Sequence, residues 1–328
     1  MIRYALRRLA LAVSLVWGVS FVAFVGAALS LDPLWQERFG CATPSCLRQL
    51  HEDTIKLHLN DPVIDRYWLW LSGLLRHGFQ SIWGDSYASY LLRSVEVTSE
   101  LMACALVLTA LLAVAVGVAS ARRAGRPPDL LLRFLSYIAW SLPSFLVATL
   151  ALHWLGPTGW FLTGAPPGRG YVSGSFGRLP SGGFIIWLRG MTLPAVTLSV
   201  GLIGLYARYL RTMMLAELHR PYVVVARSKG LSETRVAYRH ALRNSLVPFV
   251  SVLSLEFGAI LGASIGVDYV FQMGGLAGSF LGDLTQSSDP YVLANIVVAA
   301  AGIVTIFMLL GDLAIGWLDP RVRAGTAG

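Results

Sequence analysis

Six apolar runs punctuate this chain, at residues 9–31, 101–121, 134–155, 190–207, 244–267 and 290–311. Each is near or above the roughly 20 residues that carry an α-helix across a hydrocarbon core of about 30 Å. Glu256 is the one formal charge in any of them, with His153 near the end of the third. In lipid, backbone polar groups must be paired within the chain, so runs of this length predict helices rather than irregular structure. The pattern therefore predicts an all-α integral membrane protein with six transmembrane helices. The first run, 23 residues long and preceded by Arg3, Arg7 and Arg8, exceeds the 7–15 apolar residues of a signal peptide and reads as a retained helix.

Between the runs the pattern is less regular. Residues 32–95 form a long polar segment containing IDRYWLWLSGLL at 64–75, where Tyr67, Trp68, Leu71 and Leu74 or Leu75 recur at helical spacing. Two readings fit: a helix at the membrane interface, where Trp is favoured, and a helix packed over a pore mouth. Residues 156–189 are rich in Gly and Pro and read as an irregular loop. Pro143 lies inside the third run, where a missing amide predicts a kink and makes it a candidate pathway residue. Pro194 reads as opening the fourth helix. In the fifth, Gly258, Gly262 and Gly266 fall every four residues and predict a face for close helix packing, against a partner chain or a neighbour within this one.

Composition sharpens this picture. Charged residues are 13% of the 328 and apolar residues 55%, against about 25% charge in soluble domains; the mean hydropathy is +0.62. The basic residues are distributed unevenly: 17 of the 26 fall in the N-terminal segment, 122–133, 208–243 and the C-terminal segment. The positive-inside rule then predicts both termini and the 208–243 segment in the cytoplasm, with 32–95 outside. The net charge of +8 follows from this topology and anionic lipid, and calls for no nucleic acid. Cys41 and Cys46, in CATPSC, lie in the outer segment. A small disulfide ring is favoured in an oxidising compartment, with two free thiols as the other reading; a metal site lacks ligands beyond His51. Cys104 reads as a small core residue.

Several kinds of chemistry are absent or weakly supported. The two lysines, Lys56 and Lys229, precede Leu57 and Gly230, so no Gly-Lys-Ser/Thr phosphate loop exists and the chain binds no ATP by that device. Gly262-Ala263-Ser264-Ile265-Gly266 matches G-x-S-x-G, but no histidine follows His240; the intramembrane serine hydrolase it would imply is a remote alternative. Glu256, and Asp312 at the end of the last run, are costly in lipid and raise the alternative of a proton-coupled secondary transporter, with Glu256 on its pathway.

The most distinctive stretch is YVVVARSKGLSETRVAYRHALRNSLVP at 222–248. Residues 222–228 predict a helix, Gly230 permits a left-handed turn, and Ser232 reads as the N-cap of a new short helix over 233–239. The chain then turns, and His240, Arg243 and Asn244 lead into the fifth span. An ordinary inner loop needs positive charge but neither this length nor this glycine. A helix–glycine–helix protrusion suits docking.

On these residues the sequence resembles the binding-protein-dependent permeases of ATP-binding-cassette importers, in the dipeptide and oligopeptide group, and most closely the first of their paired permease subunits. Tyr222, Ala226, Arg227, Lys229, Gly230, Leu231, Val236, His240, Arg243, Asn244 and Pro248 match that group's cytoplasmic loop, while Val224 and Val225 stand where the general form has Glu and Ala. MIRYALRRL at the start, LHLNDPVIDRYWLWLSGLLRHGF, SLPSF at 141–145 and LDPRVR at 318–323 extend the likeness end to end. A departure is Gly274, where the family usually has proline. The resemblance implies a type I importer transmembrane domain over 94–319, with an ATPase-coupling loop at 216–245 that includes Ser232 and Glu233. A helix and outer segment (1–93) precede that domain and a tail (320–328) follows it. It implies a bacterial inner-membrane location and a pore subunit rather than an enzyme. The expected partners are a second permease, two cytoplasmic ATPases that bind ATP and Mg, an external binding protein and membrane lipid.

Overall fold

The computed structural model describes residues 2–155 and 183–318. Helices follow in order: α1 (Ile2–Ser30), α2 (Trp35–Gly40), α3 (Pro44–Lys56), α4 (Val63–His77), α5 (Ala88–Arg122), α6 (Pro127–Ser141), α7 (Ser144–Leu155), α8 (Gly183–Leu218), α9 (Pro221–Ser228), α10 (Glu233–Arg235), α11 (Arg243–Leu255), α12 (Phe257–Phe271), α13 (Leu276–Gly282) and α14 (Pro290–Leu318). Among the described residues the only extended pairing is a single bridge between Gln80 and Ser86. Residues 156–182 of the segment read as irregular, and the tail with Arg321 and Arg323, lie outside the described residues, as do the side chains of Arg3, Arg7 and Arg8.

Four helices, α1, α5, α8 and α14, are long and apolar enough to cross a membrane. The third and fifth apolar runs are each two helices. Helices α6 and α7 meet at 98°, a sharper break than the kink expected at Pro143. Proline lacks an amide and pushes the residue before it out of the helical region, and Leu142 is accordingly extended (φ −84°, ψ 126°). The fifth run, expected to be continuous, breaks at Glu256 (φ −95°, ψ 5°) into α11 and α12, bent by 57°. Two further expectations are corrected. Pro194 lies inside α8 rather than opening it, and residues 183–189 are helical rather than irregular. Phe184, Ile185 and Trp187 continue the apolar pattern past Arg189, and Trp187 is buried with its indole N–H on Glu100 Oε2 at 3.0 Å.

The chain forms two compact units, one of residues 1–97 and 274–305, the other of 98–273 and 306–328. In the first, α4 buries Tyr67 and Trp70 against Phe24 and Ala294. Trp70 stacks on Phe24 at 5.4 Å between ring centroids, and its N–H meets Asn295 Oδ1 at 3.1 Å. Tyr67 hydroxyl lies 3.0 Å from Ser20 Oγ. Trp68 and Leu75 face outward, so the aromatic spacing of 64–75 divides between a packed face and a free one. Asp289 caps α14: its Oδ1 accepts the amides of Tyr291 (2.8 Å) and Val292 (3.3 Å), its Oδ2 that of Ile82 (2.8 Å). Proline at the next position is pre-set for a helix start. Burial pushes the Asp289 carboxyl up to about 6. Cys41 and Cys46 are joined in a disulfide, with Cα atoms 5.6 Å apart.

In the second unit α6, α7, α11 and α12 pack on α8, around a core of Val118, Tyr206, Leu210, Met214 and Phe249. Close approaches mark the glycines that pack. Gly266 sits against Phe145, whose Cβ would lie 2.9 Å from an added methyl, whereas Gly258 and Gly262 meet nothing within 4 Å. The expected three-residue face is thus used at one position within this chain. Gly204, which no pattern singled out, lies against the Ser136 carbonyl and admits no side chain.

Candidate functional site

The 222–248 stretch is built on the end of α8. Arg220 is extended (φ −72°, ψ 149°), and Pro221 starts α9 at the position where proline costs a helix nothing. Helix α9 buries Val223 and Ala226 against Val236, with Leu218, Tyr222 and Leu231 packed around them. Its other face shows Val224 and Val225, each more than half exposed, with Arg227 and Lys229 beside them. Gly230, at φ 77°, ends the helix. Its amide bonds the Arg227 carbonyl at 2.9 Å and the Leu231 amide reaches the Ala226 carbonyl at 3.4 Å. That pair of bonds is the Schellman closure, which needs a left-handed residue at this position, and Leu231 packs against the cluster of Val223, Ala226 and Val236, as the hydrophobic contact of that motif does. The turn read at Gly230 is therefore present, and its mechanism is explicit.

Beyond it the expectation changes in two ways. Ser232 occupies the N-cap place in extended geometry, but its side chain makes no cap bond. The following helix is not short: α10 passes through a π-helical segment at 236–242 directly into α11. No turn occurs at His240. Val236, Ala237 and Ala241 are buried along this passage, and their apolar face continues into the fifth run, which is why the helix does not stop. Arg243 and Asn244 are exposed in its first turn and His240 is half-buried.

Side chains clasp the loop from both ends. Arg227 donates to both oxygens of Glu233, at 2.8 and 3.1 Å, across the Gly230 turn, the two-pronged geometry a guanidinium favours with a carboxylate. Tyr222 donates to Glu217 Oε2 at 2.5 Å and accepts from Asn244 Nδ2 at 2.9 Å. Burial first, and then the Glu217 carboxylate, pushes the Tyr222 phenol up. Arg122 at the end of α5 donates to Thr234 at 2.8 Å and lies over the Tyr238 ring.

Sequence reading missed Glu217 and a second anchor. Asp129 is fully buried and receives Arg211 on both oxygens, each at 2.7 Å, with further bonds from Ser120 and the Gly125 amide. These bonds fasten the α5–α6 turn to α8. Asp129 and Arg211 are 82 positions apart, so no spacing rule links them. The remaining candidates lie apart from the loop. Pro143 and Glu256 mark the two helix breaks, and Ser264 is buried with its hydroxyl on the Leu261 carbonyl of its own helix, an ordinary satisfied serine.

A hydrogen-bonded loop that exposes basic and apolar side chains lies within a recognised stretch of sequence. The family described as the binding-protein-dependent transport system inner membrane component matches residues 113–324. The chain belongs to that family. As a member it is a multi-pass inner-membrane protein of a transporter complex that includes ATPase and substrate-binding partners. Likeness to curated relatives runs the whole length. The chain is 29% identical to the probable peptide ABC transporter permease protein y4tP of Sinorhizobium fredii, over 98% of this chain and 99% of that one. It is 28% identical to the dipeptide transport system permease protein DppB of Lactococcus lactis, over 98% and 100%. It is 26% identical to the metal-staphylopine import system permease protein CntB of Staphylococcus aureus, over 99% and 100%. Within this family the loop at 222–248 belongs to the matched region, whereas α1 to α4 lie before it.

Proposed function

We propose that this family member is a permease subunit of an ATP-binding-cassette importer for dipeptides or oligopeptides, forming half of the membrane pathway. One observation carries the reading: inside the family-matched region, residues 221–235 form a clasped protrusion with Val224 and Val225 exposed beside Arg227 and Lys229. The full-length likeness to peptide permeases supports the substrate class. On this reading each bent pair, α6–α7 and α11–α12, is one crossing, giving six spans with both termini in the cytoplasm. A second, related permease completes the pore, an external protein delivers the peptide, and two cytoplasmic ATPases bind ATP and Mg. The segment 1–93 is an addition to a five-helix pore domain at 94–319. ATPase closure moves the loop as a lever, and the pore alternates between outward and inward access. The chain itself breaks no bond.

The reading is tested with a single cysteine at Val225 in the assembled complex. A bifunctional thiol reagent is expected to join it to an ATPase subunit, and reconstituted vesicles are expected to take up peptide only with ATP. Uptake driven by a proton gradient without ATP would overturn it in favour of a secondary transporter.

A further inference from the structure

Helix α9 is fixed at its C-terminal end by the Schellman closure at Gly230 and by the Arg227–Glu233 pair. Its N-terminal end has no such device, because Arg220 offers no side-chain cap bond. The backbone of the α8–α9 connection and a long bond from Arg227 Nη1 to the Leu218 carbonyl (3.5 Å) tie it to α8, and the Tyr222 hydroxyl alone bridges Glu217 in the last turn of α8 to Asn244 in the first turn of α11.

We infer that Glu217, Tyr222 and Asn244 form a positioning clasp that makes α9 move as one body with α8 and α11, so that a push on the loop reaches both helices. The inference rests on the importer reading. Its direction of bonding is fixed by chemistry. A carboxylate only accepts, so the phenol proton points to Glu217, and the phenol oxygen is left to accept the Asn244 amide proton. The Glu217 bond is charge-assisted, the stronger kind, and Arg220 Nε lies 3.6 Å from the other Glu217 oxygen, which keeps the carboxylate turned toward the loop. Without the hydroxyl, α9 keeps its buried Val223 and Ala226 and the turn at Gly230. Force applied at Val224 and Val225 would then rock α9 about that turn, and only the part carried by Arg227 and the buried contacts would reach α8 and α11. The loop would still bind its partner, but motion would be lost between the two.

The experiment uses the complete importer in proteoliposomes, with permease abundance matched and a mixture of alanine di-, tri- and tetrapeptides as the transported probe. Tyr222→Phe removes only the hydroxyl and keeps the ring packed beside Leu218 and Leu231. It is expected to leave ATPase copurification and the rate of ATP hydrolysis intact, and to lower peptide taken up per ATP by about tenfold, the scale of one hydrogen bond to a charged group. Glu217→Gln, which keeps an acceptor, should retain most of the wild-type ratio, whereas Glu217→Ala should match Tyr222→Phe. The double variant Tyr222→Phe with Glu217→Ala should be no worse than either alone, as for partners in one interaction. A wild-type ratio in Tyr222→Phe, or losses that multiply in the double variant, overturns the clasp while leaving the importer reading in place. A wild-type complex that neither retains ATPases nor takes up any peptide of the mixture overturns both.

Discussion

The α4 cluster and the α9 loop are held together by opposite means. Around α4 the bonds are long in sequence and mostly neutral: Phe24, Tyr67, Trp70 and Asn295 meet across separations as large as 225 positions, in an aromatic core. Around α9 they are mostly short in sequence and ionic or charge-assisted, spanning 5, 6 and 22 positions, with the Arg122–Thr234 bond as the long-range exception, over three well-buried residues. The first arrangement resists any displacement, since moving it exposes large rings. The second is closed mainly by its own backbone turn and by a few polar bonds to α5, α8 and α11, as the lever of the proposed reading requires.

Substitutions should separate the two. The largest expected effect is Trp70→Ala, which removes a stacked, hydrogen-bonded ring. A cost of about 3–5 kcal/mol is expected for such a deletion, read as a lower melting temperature and abundance of the purified protein; retention of wild-type melting would mean that the cluster is not the anchor of its unit. Next is Gly230→Val. A β-branched side chain at φ 77° is strained by about 1–3 kcal/mol, so the chain should insert normally while peptide uptake falls well below ATP hydrolysis. Undiminished uptake would show that the turn does not carry the motion. Smaller still is Asp289→Ala, which strips a cap at about 0.5–2 kcal/mol.

The same carboxyl supplies a pH test. Its pKa rises on folding from 3.8 to about 6, so the folded chain holds that proton more tightly. The stabilisation is complete below about pH 4 and lost as the pH climbs through about 6. Melting temperature should fall across that window in the wild type, and Asp289→Asn should flatten the fall; an identical slope in both would sink the assignment. The smallest effect belongs to Arg227→Ala. Its pair with Glu233 is largely exposed, so no more than about 0.2–1 kcal/mol is expected, diminishing further in high salt, with the loop still closed by its backbone bonds.

How far the sequence reached depended on whether a feature is local. The apolar runs, a bend at Pro143 and the turn at Gly230 are written in adjacent residues, and helices, a bend and a turn stand at those places, although the bend is a full break. The break at Glu256 was not legible, because a single acid in an apolar run reads as a functional charge before it reads as a helix end. Pro194 misled for the converse reason: its usual place is a helix start, and here the buried Trp187 extends the helix beyond it. Glu217 and Asp129 were invisible as anchors, since their partners are chosen by how α8 lies against its neighbours. Even the glycine pattern was informative only in part, with Gly266 packing and Gly258 and Gly262 open.

The Schellman closure at Gly230 has one more consequence. It is made by backbone atoms, with Leu231 packed on the cluster beneath, and uses the side chains of neither Val224 nor Val225. Those two positions, which depart from the Glu and Ala of the family's general form, can change without disturbing the hinge beneath them. Shape and outward surface are thus written in separate residues, so on the proposed reading a permease of this kind could be redirected to a different motor subunit by altering its outward-facing side chains while the turn is inherited unchanged.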